Sequence, residues 1–425
     1  MTNTNGIGEM WRHKRVLSAS LIGTAVEFYD FYIYATAASL IFPTLFFPSS
    51  SPSAQLLASY GSLALAFLAR PLGAAIFGHY GDRVGRKATL VTSLMLMGGC
   101  TLAIGFLPTH AQIGWWAPLI LCILRFGQGL GLGGEWGGAA LLAVENAPPG
   151  WRARFGMFPQ LGAPVGFIAA NGLFLILGTM LSDADFYAWG WRLPFLGSSV
   201  LVFLGLWVRL KLTETPEFAA AQAEAPPPAM PLADLLRNHL GAAIAGTFAV
   251  VACFAIYYIA TAFALGYGTT TLQIPRGQFL SIQLGAIMFM AISIVIAGWW
   301  ADKSSPTRVL AWGCIGTVFM GLIFGPMIGT GALLPVFAIL SLALFLMGFV
   351  YGPLGAYLPA LFPIQLRYTG ASFAFNLGGI LGGALAPIVA TWLIAAQGVG
   401  LVGLYMSAAA AISLGGLWFT SRAPA

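Results

Sequence analysis

The sequence predicts an all-α membrane protein of twelve transmembrane helices in two pseudo-symmetric bundles of six. Three observations predict it. First, 59% of the 425 residues are hydrophobic and only 8% are charged, whereas a soluble domain carries about 25% charged residues. Second, the apolar runs end at Pro, Gly or charge and reach about 20 residues or more, the length a helix needs to cross about 30 Å of hydrocarbon. None alternates at period two, as a membrane β-barrel would require. Third, the basic residues segregate. With helices at about 16–42, 54–80, 88–107, 116–143, 155–180, 190–212, 240–267, 279–300, 308–329, 333–358, 370–394 and 398–419, fifteen of the 19 Lys and Arg fall on one side. Only Arg192 and Arg276 fall on the other, and Arg70 and Arg125 lie within helices. The positive-inside rule then places both termini in the cytoplasm, and an odd helix count would scramble the separation.

Helix one follows Arg12-His13-Lys14-Arg15 and is too long for a signal h-region. It nevertheless holds two acids, Glu27 and Asp30, three apart and so on one helical face. A carboxylate at the centre of a membrane helix costs about 2.5–3.5 kcal/mol or more, so that face is expected to meet water, a proton or a substrate. Helix four sets Arg125, Gln128, Leu132 and Glu135 on one face, with glycines at 127, 129, 131, 133 and 134 leaving room for close packing or a cavity. Glu27, Asp30, Arg70, Arg125 and Glu135 are the charges inside helices, and all lie in the first half. Ion coupling is therefore expected there.

Between helices six and seven runs the one long polar segment, 213–239, with its Pro-rich stretch. It reads as a cytoplasmic linker or surface helix between domains 1–212 and 240–425. The halves echo each other. Gly78-His79-Tyr80-Gly81-Asp82 returns as Gly298-Trp299-Trp300-Ala301-Asp302, displaced by 220 residues. Arg154-Phe155-Gly156 with Gln160-Leu161-Gly162 returns as Arg367-Tyr368-Thr369-Gly370 with Asn376-Leu377-Gly378. Two matches at nearly one displacement favour a duplicated unit. The cysteines Cys100, Cys122, Cys253 and Cys314 lie inside apolar runs without metal spacing, so neither a metal nor another cofactor is expected. The net charge of +6 is divided among loops rather than clustered for nucleic acid.

The loop after helix two, Gly81-Asp82-Arg83-Val84-Gly85-Arg86-Lys87, reads as either a latch or a plain basic turn. As a latch, Asp82 would accept hydrogen bonds from a neighbouring helix N-terminus, and Arg83 and Arg86 would clasp carboxylates. This motif resembles the signature of the major facilitator superfamily. The string Arg70-Pro71-Leu72-Gly73, Phe77-Gly78-His79, Gly81-Asp82-Arg83 is similar to its metabolite:proton symporter branch. So are Glu27-Phe28-Tyr29-Asp30-Phe31, Arg125-Phe126-Gly127-Gln128-Gly129, Gly133-Gly134-Glu135-Trp136 and Trp189-Gly190-Trp191-Arg192. Around helix seven, Tyr257-Tyr258-Ile259-Ala260-Thr261-Ala262-Phe263 is most similar to shikimate-type transporters. The second-half copy of the loop departs from the pattern at Asp302-Lys303-Ser304-Ser305, so its latch is expected to be looser.

The resemblance implies a proton-coupling pair of Asp30 with Arg125. If Arg125 turns to a substrate carboxylate, Asp30 loses its partner and takes a proton. The competing reading is a static buried ion pair. Glu27 is a second proton site or an anchor. Arg70 snorkels or supports the motif, or else touches substrate, and Glu135 is a gating partner or a structural group bonded to backbone or Trp136. Candidate substrate contacts are Arg125, Gln128, Tyr34, Gln160, Tyr257, Tyr258, Thr261, Gln283, Tyr351, Asn376 and Arg70. Candidate gating residues are Gly81, Asp82, Arg83, Gly85, Arg86, Glu135, Glu145, Arg154, Asp302 and Arg367. The expected function is proton-coupled import of a small organic acid, shikimate-like or another monocarboxylate, by a monomer in the bacterial inner membrane. Alternatives are a betaine or proline symporter, a di- or tricarboxylate symporter, a sensor on a transporter fold, and a membrane-embedded enzyme. The four histidines (13, 79, 110 and 239) lie at termini or loops, which disfavours the enzyme.

Overall fold

A computed structural model describes residues 8, 10–49, 51–84, 86–210 and 231–422, with side-chain surroundings outside 78–90, 208–210 and 421–422. Eleven helices are long and apolar enough to cross a membrane, and Val91–Phe106 is a shorter apolar one. The spans are α1 (Lys14–Leu40), α2 (Pro52–Val84), α3 (Arg86–Phe106), α4 (Trp116–Glu145), α5 (Arg152–Met180) and α6 (Leu193–Leu210). The second series is α7 (Leu240–Thr270), α8 (Arg276–Lys303), α9 (Pro306–Ile328), α10 (Leu333–Ala360), α11 (Ile364–Gln397) and α12 (Gly400–Arg422). The part of the expected linker that is described, from Pro231, is a helix, Pro231–Asn238, packed on α7 and α11 through the buried Leu235. Large apolar side chains such as Ile123, Phe203, Phe319 and Trp392 stay exposed, as a lipid-facing surface requires.

The order of neighbours repeats. Packing of α1 on α5 and α6, α2 on α4, α3 on α4 and α6 recurs as α7 on α11 and α12, α8 on α10, α9 on α10 and α12. The main contacts between the two series, α2 with α11 and α5 with α8, are equivalent under the same shift of six helices. The weak sequence echo therefore corresponds to a real structural duplication. Its core is the seam where α1, α2, α4 and α5 meet α7, α8, α10 and α11. We call the end where α1 starts and α12 stops the base, and the opposite one the far end.

Glycine sets how closely α2 and α4 approach. A Cβ on Gly129 would run into the Ala66 backbone, one on Gly73 into that of Leu130, and one on Gly133 into that of Arg70. Three irregular turns matter more than the regular ones. α4 breaks at Gly133–Gly134, between Leu132 and Glu135. α7 and α11 each widen into a π turn, at Ile259–Phe263 and Ile380–Ala384. Such turns disturb the i→i−4 ladder and make carbonyls available to other donors. In α7, Gln283 Nε2 donates to the carbonyls of Ala260 (3.1 Å) and Thr261 (2.8 Å). Ser39 and Tyr60 donate to that of Ala262 at 3.0 and 2.8 Å, tying α1 and α2 to α7.

Replacing Gly129 by Leu should lower the thermal midpoint of the detergent-solubilised protein, since overpacking costs about 1–3 kcal/mol or more. Gly99→Ala, where a new Cβ meets nothing within 4 Å, should leave it unchanged. Equal midpoints for the two variants would contradict the close α2–α4 approach.

Candidate functional site

Asp30 is 1% exposed, on the middle of α1. The hydroxyl of Thr101 on α3 lies 3.1 Å from its Oδ2, and Ser198 on α6 donates to its Oδ1. Arg125 is 0% exposed. Its guanidinium lies against the rings of Phe31 (4.2 Å to the centroid) and Tyr34 (3.9 Å). Its Nη1 donates to Gln128 Oε1 at 3.0 Å, and Gln128 Nε2 donates to Thr101 Oγ1 at 2.7 Å. The direct contact implied by the resemblance is therefore replaced by a relay, Arg125–Gln128–Thr101–Asp30. The reason is angular. Successive helix residues turn by about 100°, so Asp30 and Phe31 point about 100° apart, with Tyr34 between them. Arg125 takes the aromatic face, and Asp30 turns to α3 and α6.

Two of Arg125's donors, Nε and Nη2, are buried without a partner. So are Arg70 Nε, Tyr257 Oη and Tyr351 Oη. Arg70 does not snorkel. It is 6% exposed, with its guanidinium 4.5 Å from the Phe31 centroid and 4.8 Å from that of Phe67. Glu27 acts on it electrostatically. Phe31 thus carries both inner arginines. Tyr258 packs against Phe31 (5.9 Å) and Phe67 (5.2 Å), and Tyr257 stacks on Tyr32 at 5.1 Å.

The remaining candidate contacts already have partners in the protein. Tyr34 donates to Ser62 (2.8 Å), and Thr261 donates to its own helix at Tyr257 O (2.6 Å). Gln283 braces the π turn, as above. Gln160 accepts from Trp136 Nε1 and donates to Tyr351 O, both at 3.2 Å, which joins α4, α5 and α10. Asn376 donates to Gly133 O at 2.8 Å.

That last bond belongs to the base closure. The Gly133–Gly134 break offers two carbonyls, one taken by Asn376 and the other by the Tyr368 hydroxyl, both on α11. Directly beside them Trp136 and Phe375 stack at 3.8 Å. Asp302, at the end of α8, accepts the N–H groups of Ala153 (2.8 Å) and Arg154 (3.0 Å) at the start of α5. It also lies 3.5 Å from Arg154 Nε, and Arg154 is held between Trp151 and Trp299. A carboxylate there satisfies free helix N–H groups and the helix dipole together. The looser latch expected for this copy is thus well anchored without the missing basic ending. The side chains of Gly81, Asp82, Arg83, Gly85 and Arg86 lie outside the described residues. Glu145 and Arg367 line a cleft with Arg152 and Pro359. Glu135 accepts from Ser93 on α3 (2.8 Å), a partner that neither sequence reading named. At the far end, Arg276 pairs with Asp183 (3.0 Å) and lies 3.9 Å from the Phe186 ring, linking α8 to the α5–α6 connection.

Sequence reasoning missed Thr101, Ser198, Ser93 and Tyr368. Thr101, Ser198 and Ser93 show only as hydroxyls in apolar runs, which most often bond their own helix, and Tyr368 stands in the repeated Arg367-Tyr368-Thr369-Gly370 motif without a role of its own. Phe31 was visible in the motif, but as a spacer rather than a shared platform.

Residues 16–230 match the family described as sugar (and other) transporters. The sequence is 49% identical over 411 residues to the inner membrane metabolite transport protein YhjE of Escherichia coli (strain K12), covering 96% of this chain and 93% of that one. It is 38% identical over 386 residues to the shikimate transporter of the same organism, covering 90% and 88%. Among solved structures, the major facilitator superfamily proton:xylose symporter XylE bound to 6-bromo-6-deoxy-D-glucose aligns with a TM-score of 0.73 over 100% of this chain and 97% of its own. At 16% identity that likeness shows the fold alone. The extended sequence identity, the repeated six-helix packing and this shared fold agree: the chain is a multi-pass membrane protein that belongs to the metabolite transporters of the major facilitator superfamily.

Proposed function

We propose that the protein is a proton-coupled symporter that carries a small organic acid across the bacterial inner membrane, with both termini cytoplasmic. Units 1–212 and 240–425 rock about the central seam, with 213–239 as their linker. Membership in a transporter family removes the enzyme reading. The names of the two Escherichia coli relatives support the membrane and the organic acid. The observation that carries the reading is Arg125, fully buried, with two free N–H donors and a hydrogen-bonded connection to Asp30.

A buried charge with unmet donors is costly. A substrate carboxylate can take both free N–H groups in the bidentate geometry that guanidinium favours. Arg125's charge is then spent on the substrate, and the relay carries less of it to Asp30. A proton on Asp30 removes the uncompensated negative charge from a water-poor seam. Substrate and proton occupy different ends of one hydrogen-bonded chain, so each favours the other without competing for a contact. The loaded centre is closer to neutral, the condition under which two apolar bundles can close over it and reopen on the other side. Gly133 and Gly134 carbonyls at the base and Ala262 at the far end are the contacts to be exchanged.

Uptake of shikimate into proteoliposomes tests this. With an imposed pH gradient, Asp30→Asn should still exchange labelled shikimate across the membrane but no longer concentrate it; wild-type accumulation by this variant rejects the coupling role. Arg125→Gln should weaken substrate binding by about tenfold or more, since a hydrogen bond to a charged group contributes about 1.5–3 kcal/mol. Gln128→Leu cuts the relay and should lower the number of protons entering per substrate, read with a lumenal pH dye. Unchanged stoichiometry there would show the relay to be idle.

A further inference from the structure

The free hydrogen-bonding groups of the seam are unbalanced. The unpartnered buried atoms near Phe31 and Tyr32 are Arg125 Nε and Nη2, Arg70 Nε, and the hydroxyls of Tyr257 and Tyr351. Guanidinium nitrogens only donate, and a tyrosine hydroxyl donates or accepts. No carboxylate oxygen stands among the buried atoms without a partner in the described residues. Asp30 has Thr101 and Ser198, and Glu135 has Ser93. Of the seam's amides, Gln160 uses both ends, on Trp136 and Tyr351, while Gln283 and Asn376 spend their NH2 groups on α7 and α4. The groups left open near Phe31 are thus guanidinium donors and tyrosine hydroxyls.

The donors also lie at separate points. A single carboxylate has two oxygens, enough for Arg125's pair. Arg70 lies on α2 and Tyr257 on α7, yet both guanidiniums lie within 4.5 Å of one ring centroid, that of Phe31. Tyr258 packs on the same ring. A compact molecule seated along Phe31 can reach both cations. An unmet buried donor costs about 1–3 kcal/mol, so a ligand that leaves Arg70 and the tyrosines unmet forfeits most of what the seam offers.

Building on Arg125 as carboxylate anchor, we propose that Arg70 and Tyr257 form a second recognition point, and that the substrate is a compact acid bearing further oxygens on the side away from its carboxylate. A bare ring monocarboxylate meets only the first point. A betaine brings a quaternary ammonium to a region whose ring faces at Phe31, Tyr34 and Phe67 already carry guanidinium cations.

The test is a thermal-shift titration of the purified full-length protein with three probes: shikimate, cyclohexenecarboxylate (the same ring acid without hydroxyls) and glycine betaine. Shikimate should bind about tenfold or more tightly than cyclohexenecarboxylate, and betaine should give no shift. Arg70→Gln and Tyr257→Phe should each weaken shikimate by about tenfold while leaving cyclohexenecarboxylate within about twofold. Arg125→Gln should lose both acids. Equal affinity of the wild type for the two acids overturns the second point and leaves the organic-acid reading standing. So does an equal loss of both acids in Arg70→Gln and Tyr257→Phe, the result that purely structural roles would give. A shift with betaine alone, or with none of the probes, overturns the organic-acid reading and the second point together.

Discussion

The guanidinium of Arg125 is the constraint around which the seam is arranged. A full charge with no exposed surface must find compensation nearby, because water supplies none. The protein provides three partial sources: the π faces of Phe31 and Tyr34, one amide oxygen from Gln128, and an acid reached only through Thr101. None is complete, and two N–H groups remain free. A centre balanced in this way is stable enough to fold and still gains from an anion. A tight direct ion pair with Asp30 would have satisfied the arginine and left it less reason to bind anything.

The closures at the two ends follow a second economy. At the base and at the far end, four of the bonds that cross between the helix series among the described residues end on backbone carbonyls. These are Gly133 and Gly134 where α4 breaks, and Ala262 where α7 widens. A neutral hydrogen bond contributes about 0.5–1.5 kcal/mol net, and an exposed ion pair such as Arg276–Asp183, with Asp183 84% exposed, contributes about 0–1 kcal/mol. A few such bonds per end hold a gate shut while keeping the opposite arrangement within reach. Irregular turns in the helices are what make these acceptors available. The glycines at 129 and 133 bring α2 near enough for Arg70 and Arg125 to share one ring.

Much of this was legible in the chain itself. Membrane thickness sets helix length, so the apolar runs revealed the spans and the basic loops their alternation. Charge is costly in lipid, so Glu27, Asp30, Arg70, Arg125 and Glu135 stand out in the apolar runs. The duplicated unit showed in two motif pairs and reappears as a repeated packing order. The contact of Arg125 with Gln128 was within reach as well, being a pair three apart on one helix.

What the tertiary structure alone decided is which polar group meets which. α3 and α6 bring Thr101 and Ser198 to Asp30 while Arg125 lies on Phe31, partners that residue spacing on α1 does not name. Burial of Arg70 depends on how far α2 sinks against α4, which glycine contacts set. Whether Gln160, Gln283 and Asn376 are free or spent depends on carbonyls presented by other helices. The sequence by itself determined the class of the molecule and its charged inventory, because bilayer physics acts on each helix separately. The three-dimensional packing decided the relay, the gates and the open donors, because hydrogen bonds across helices are satisfied only by partners distant in the chain.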